Sequence, residues 1–188
     1  IKEKGVTKNM KNMTLANIAK AVNGSLHNAE QHVGEEAAGV VLDSRKVEAG
    51  YVFIATKGER VDGHTFIDAV FEKGALGVIC EKAPENPKGA YIVVEDSFQA
   101  LKDVAAFYRK QLNIKVVGIT GSVGKTSTKE FIAATLATHY QVLKTEGNFN
   151  NEIGLPLTVL RIRDNIQVAV LEMGISDFGE MHRLSSIA

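Results

Sequence analysis

The strongest constraint on this chain is a change of hydrophobic period near residue 120. Lys115-Val116-Val117-Gly118-Ile119-Thr120 is a β-branched run of the kind buried in a parallel sheet. It leads straight into Gly121-Ser122-Val123-Gly124-Lys125-Thr126. Phe131, Ile132, Thr135 and Leu136 then recur at helical spacing and predict the apolar face of a helix. Strand, glycine loop and helix in that order begin a β-α-β unit, and such units build parallel sheets with right-handed crossovers.

That loop also predicts chemistry. A triphosphate needs several backbone N–H groups converging on its oxygens and a cation to offset its charge. Glycines at 121 and 124 allow the backbone to approach closely, and the helix that follows adds its N-terminal amides and positive dipole end. Lys125 can reach the β and γ oxygens, and the Thr126 hydroxyl can hold Mg²⁺. Thr120, Gly121, Ser122, Val123, Gly124, Lys125, Thr126 and Ser127 are therefore expected to bind the phosphates of ATP.

The rest of the chain extends the alternation. Thr14 caps a predicted helix carrying Leu15, Ile18, Ala19 and Val22, with Gly24 at its expected end. Four short runs read as strands: 39–42, 52–55, 76–80 and 91–94. A helix ending at Gly74 lies between the second and third. Ser97 opens a longer helix with Phe98, Leu101, Val104, Ala105 and Tyr108 on one face. Beyond the glycine loop come a strand at 141–144, a helix near 152–160, a strand at 168–172 and a helix from about Gly179. The expected fold is α/β: a small amino-terminal α/β substrate domain (13–112), then the first part of a parallel-sheet P-loop ATPase domain (113–188). Residues 1–12 carry no periodic pattern and read as a leader. Three parallel strands with open edges make an unfinished domain, so the chain is expected to be part of a longer protein.

Composition narrows the partners. Twenty-two basic residues balance twenty-two acidic ones, so bulk charge favours neither nucleic acid nor an anionic membrane. No stretch approaches the roughly 18 uncharged apolar residues of a membrane span. The single cysteine, Cys80, sits in an apolar run and reads as a buried strand residue; one thiol and no secretory signal fit a reducing cytoplasm. His27, His32, His139 and His182 show no metal-ligand spacing.

Further polar residues stand where strands end. Glu172 closes a buried apolar run at its carboxyl end, the edge where open α/β sheets bind ligands, and a carboxylate facing Thr126 is a natural Mg²⁺ ligand; the alternative is a glutamate pointing into water. Asn148, Asn150 and Asn151 follow a strand and offer amides to a substrate, although asparagine also serves turns. Arg45, beside Ser44, could make charge-assisted bonds to an anionic ligand, yet Asp43-Ser44-Arg45 after a strand is by itself more often a polar turn. His64 stands near a helix start, where capping or packing is at least as good a reading as ligand contact. Asp177-Phe178-Gly179 resembles the kinase magnesium motif, but no kinase catalytic-loop signature accompanies it.

The glycine loop departs from the general P-loop, which has glycine where Ile119 stands; Gly118 is the nearer match. The form Thr-Gly-Ser-x-Gly-Lys-Thr-Ser resembles that of the Mur ligase family. Two other blocks resemble the branch that adds D-alanyl-D-alanine to the peptidoglycan precursor, Gly147 to Pro156 and Leu171-Glu172-Met173-Gly174 with Gly179-Glu180-Met181; Asp43-Ser44-Arg45 and Asp62-Gly63-His64-Thr65-Phe66 resemble the uridine-nucleotide domain that this branch shares with the one adding the third peptide residue. The resemblance runs from about Met13 to the end. It implies ATP-dependent amide formation through an acyl phosphate, with UDP-N-acetylmuramoyl-tripeptide and D-alanyl-D-alanine as substrates. Lys125 and Glu172 would be catalytic, Mg²⁺ would lie on Thr126 and Glu172, and Ser44, Arg45, Asn148, Asn150 and Asn151 would bind substrate. It also implies that a third domain and a carbamylated lysine lie beyond residue 188, so that the fragment alone has little or no ligase activity. The rival classes are another P-loop phosphotransferase, for which no Asn-Lys-x-Asp guanine motif is present, and a non-catalytic nucleotide-binding module.

Overall fold

Short β-branched runs joined through helices become parallel strands because each crossover helix returns the chain to the same end of the sheet. In the computed structural model, which describes residues 9–59 and 61–188, they do so twice, in compact units of residues 9–104 and 105–188. The fold is α/β in both, as expected.

The first unit contains α1 (Leu15–Ala21), β1 (Ser25–His27), β2 (Gly39–Val41), β3 (Tyr51–Ile54), α2 (Ile67–Glu72), β4 (Gly77–Cys80), β5 (Tyr91–Val93) and the start of α3 (Ser97–Gln111). Thr14 caps α1 by accepting the Asn17 N–H. The five strands lie in the order β1-β5-β4-β3-β2; all neighbours are parallel except β1, which runs antiparallel to β5. That edge strand was not expected, because Ser25-Leu26-His27 has too little apolar content to announce itself. It is held by pairing with β5, where His27 stacks on Tyr91. Phe53, Val70, Val78 and Cys80 are fully buried in the core. Burying each large side chain there contributes about 1.5–3 kcal/mol. Burial also pushes the Cys80 thiol up to about 11, as suits an inert strand residue.

Part of the expected leader falls outside the described residues, namely 1–8. Met10 is fully buried, and its N–H donates to the Ala37 carbonyl, so packed structure starts before residue 13. The division between the units falls inside α3, after Val104, rather than at its end.

The second unit contains β6 (Lys115–Ile119), α4 (Lys125–Leu136), β7 (Val142–Lys144), α5 (Gly154–Val159), β8 (Val168–Glu172) and α6 (Glu180–Ile187). The strands are all parallel in the order β6-β8-β7, and the central strand β8 is buried along its whole length. Register places Glu172 opposite Ile119, so the last residue of β8 sits beside the start of the glycine loop. One expectation is corrected. The buried residues of α4 are Lys129 and Ala133, with Ile132 and Leu136 half-buried, whereas Phe131 and Thr135 are exposed. The helix is turned so that Thr126 and Lys129 face Glu172, and a polar residue takes the position the periodicity reserved for an apolar one. Among the described residues no helix is long and apolar enough to cross a membrane.

Candidate functional site

The glycine loop joins β6 to α4 with Gly124 as the residue that precedes the helix, at φ 80°, a left-handed conformation a side chain would strain. Lys125 opens α4, and its ammonium donates to the Gly121 carbonyl at 2.7 Å, lying across the loop. Loop amides, helix N-terminus and one lysine thus lie together, an arrangement whose chemistry suits an anion.

A buried carboxylate stands beside it. Glu172 is 2% exposed. Its N–H donates to the buried Thr145 hydroxyl at 2.9 Å, fixing the backbone from which the side chain leaves. Oε1 accepts from Asn150 Nδ2 at 2.9 Å and from Thr126 Oγ1 at 3.4 Å. Oε2 takes no hydrogen bond from the described residues, and Lys129 Nζ lies 3.5 Å from it. Removing one partner from a buried ion pair costs about 3–5 kcal/mol, so this contact strongly constrains the carboxylate.

Mg²⁺ at nucleotide sites takes one or two protein oxygens and completes its octahedron with phosphate and water. Thr126 Oγ1 and Glu172 Oε1 suit it: both are hard oxygens, and they stand 3.4 Å apart. Adjacent oxygens around Mg²⁺ are separated by about 3 Å. Among the described residues no group of three or more His, Cys, Asp or Glu side chains gathers into a metal cage.

The three asparagines differ. Asn150 touches the carboxylate, and its own carbonyl accepts the Gly174 N–H at 2.8 Å, tying the loop after β7 to the loop after β8. Asn151 Oδ1 accepts the N–H groups of Ile153 at 3.1 Å and Gly154 at 2.8 Å, which is turn chemistry at the start of α5. Asn148 is exposed. Glu180, in the block after β8, reaches back to accept from the Ser176 N–H and hydroxyl and from the Asp177 N–H. Those bonds, the Ser176 N–H first, hold its carboxyl below the usual range. It thereby shapes the loop that leads into α6. Thr145 and Lys129 were missed by sequence reading. Helical spacing was the available signal for Lys129, since it lies three residues after Thr126 and four before Ala133.

Ser44 and Arg45 belong to the other unit. Asp43 ends the extended run after β2 and caps a 3-10 turn, Ser44–Lys46. Its carboxylate accepts from the Arg45 N–H at 3.0 Å and, in a fork, from Nε and an Nη, each at 2.9 Å. The Arg45 side-chain bond first, and the backbone N–H second, lower the Asp43 carboxyl to about 2. Lys73 Nζ donates to the Ser44 carbonyl at 2.8 Å. The turn borders a groove of about 490 Å³ that Thr56, Gly58, Val61, Gly63 and Phe66 also line. Gly63 is required there, since a Cβ would lie 2.9 Å from the backbone N and O of Thr56. His64 borders a different groove, of about 430 Å³, with Asp62, Thr65 and Glu81. Its Nε2 accepts the Glu81 N–H at 3.0 Å, so Nδ1 carries the proton donated to Asp62 Oδ1 at 2.7 Å. Both ring nitrogens are thus engaged within the protein.

The chain is similar to two family models: the Mur ligase family, catalytic domain, over residues 36–120, and the Mur ligase middle domain over 119–188. Among curated proteins it is 48% identical, over 93% of its length, to the UDP-N-acetylmuramoyl-tripeptide–D-alanyl-D-alanine ligase of Bacillus subtilis, and spans 38% of that protein. The corresponding Escherichia coli ligase is 37% identical over 92% of the chain, which spans 37% of it. Among solved structures, a crystal structure of MurF from Acinetobacter baumannii matches 93% of the chain at 36% identity with a TM-score of 0.83; the chain covers 38% of it. MurF ligase from Thermotoga maritima in complex with ADP matches 80% of the chain at 41% identity with a TM-score of 0.72, and 35% of that protein is covered.

Proposed function

This chain belongs to the Mur ligase family, and on that premise we propose that its protein is an ATP-dependent amide ligase of the MurF type. The reaction joins D-alanyl-D-alanine to UDP-N-acetylmuramoyl-tripeptide in peptidoglycan precursor synthesis. The observation that carries this reading is the buried Glu172 carboxylate 3.4 Å from the Thr126 hydroxyl at the mouth of the glycine loop. Relatives named for that reaction, and one with ADP bound, support it.

A carboxylate resists amine attack because its charge repels the nucleophile and oxide is a poor leaving group. In the proposed reaction a carboxylate oxygen of the tripeptide attacks the γ-phosphorus of ATP, the bond to the β-phosphate oxygen breaks, and ADP leaves. The amine of D-alanyl-D-alanine then attacks the acyl phosphate; phosphate departs, a proton is lost, and an amide remains. The chain's part is to position reactants and to neutralise charge. Amides of 120–127 and the Lys125 ammonium hold the phosphates in line. Thr126 and Glu172 would hold Mg²⁺, which offsets phosphate charge. Asn150 steadies the carboxylate, and the exposed Asn148 and the Asn151 amide nitrogen, left over from its turn bonds, are substrate contacts. Ser44 and Arg45 bind the UDP end, so residues 13–112 serve as the substrate domain and 113–188 as part of the ATP domain. The nucleotides involved place the reaction in the cytoplasm.

The test is ADP release by the full-length gene product given UDP-muramoyl-tripeptide, ATP and Mg²⁺. Turnover is expected only when D-alanyl-D-alanine is added. Nucleotide hydrolysis indifferent to both substrates, or GTP serving as well as ATP, would replace this reading with that of another P-loop enzyme.

A further inference from the structure

Lys129 is 1% exposed, and no part of the reaction just described uses it. Its Nζ lies 3.5 Å from Glu172 Oε2 and 3.4 Å from Glu130 Oε1, and Glu130 in turn pairs with Lys144 at the end of β7. Alternating charges therefore run from β7 across α4 to β8. Stability does not explain such a residue: replacing a buried ion pair with apolar side chains of similar size is often neutral or stabilising. The position lies on the buried face of α4 beside Ala133, and the charge there answers the glutamate it faces rather than a need of packing.

The two carboxylate oxygens of Glu172 are treated differently. Oε1 faces Thr126 and Asn150, whereas Oε2 faces Lys129. Resting on the nucleotide reading above, we propose that Lys129 is a positioning residue that withholds Oε2, so that Glu172 offers a single oxygen, and that it thereby selects the cation that accompanies the nucleotide. Mg²⁺ requires a strict octahedron, which one carboxylate oxygen suits. Ca²⁺ is larger and readily takes both oxygens of one carboxylate. Holding Oε2 on an ammonium favours the first ion and denies the second its extra contact. Lys125 has a separate task, since its ammonium lies on the loop carbonyl of Gly121.

The experiment is calorimetric titration of ADP into the full-length protein in Mg²⁺ and in Ca²⁺, read as the ratio of the two dissociation constants. Lys129→Met is expected to cut the preference for Mg²⁺ by about tenfold, because both oxygens become available. Lys129→Arg keeps a cation that can reach Oε2 and should stay within about threefold of the parent. A parental ratio in Lys129→Met overturns the proposal. So does a Lys129→Arg ratio that falls as far as that of Lys129→Met, because a cation would then stand beside Oε2 without selecting the ion. Should Lys129→Met fail to fold, Glu130→Gln decides: it removes the exposed carboxylate that competes for Lys129, so the preference for Mg²⁺ must rise, and an unmoved ratio overturns the proposal. Cation-dependent ADP binding absent from the parent protein would sink the nucleotide reading itself; normal parental binding with unmoved variant ratios sinks only the role of Lys129.

Discussion

Two polar loops in this molecule follow parallel strands, and they hold their charged groups in opposite ways. After β6, the carboxylate of the site comes from a neighbouring strand and is 2% exposed. Its contacts converge from two segments, Thr126 and Lys129 on α4 and Asn150 in the loop after β7, while Thr145 holds the Glu172 backbone N–H. After β2, Asp43 and Arg45 are two residues apart and bind each other, with the Arg45 side chain 87% exposed. The first arrangement is fixed by packing, in a medium where a charge acts with little screening. The second is a local ring in water, where screening weakens each charge and a ligand must share Arg45 with Asp43. Orientation can be preset in either way; only burial also concentrates the field.

The sharpest way to break that comparison is to remove one cation from each loop. Lys125→Ala in the full-length protein is expected to lower the ATP-dependent rate by roughly 10²–10³-fold, the scale of losing a preorganised charge at a transferring phosphoryl group. Steady-state kinetics with thermal unfolding as a control would check it. A loss below tenfold would mean that the loop amides carry the phosphates without the lysine.

Arg45→Ala should do less. Exposed charge-assisted bonds to a diphosphate, already shared with Asp43, predict a rise of about tenfold in KM for the UDP-linked substrate. KM for ATP should not change. An effect on kcat as large as that of Lys125→Ala would show that exposure and screening are the wrong basis for ranking the two loops.

The same contrast decides what was legible in the sequence. The phosphate loop could be read because its constraints are local: glycines where the backbone must turn, lysine and threonine at the helix start. Every major strand and helix could be read for the same reason, from short-range pattern. What could not be read depends on neighbours distant in sequence. Ser25-Leu26-His27 becomes a strand only because β5 offers an edge. Phe131 is exposed and Lys129 buried because α4 turns to meet a glutamate 43 residues beyond Lys129, at position 172. Asn150 and Asn151 look equivalent in sequence, yet one bonds the carboxylate and the other starts a helix. A pattern of types gives the candidates; register and burial separate them.

The smallest expected effect sharpens the comparison from the exposed side. The Asp43 carboxyl is lowered to about 2, first by the Arg45 side chain and next by the Arg45 backbone N–H. A depressed folded value means that Asp43 stabilises the fold at pH above its ordinary 3.8 and that this contribution disappears as pH falls towards 2. Because the pair is largely in water, the change in unfolding free energy over that window should be slight. Carbon-detected NMR of the side-chain carboxyl is the more sensitive measurement. Arg45→Ala removes the fork but keeps the backbone N–H, so the titration should move only part of the way back to the ordinary value. A full return would mean that the turn around Ser44 depends on the side-chain fork, and that Arg45 builds its loop as well as decorating it. An unmoved midpoint would make the backbone bond the dominant cause, leaving the guanidinium free to turn to a ligand without disturbing the loop that carries it.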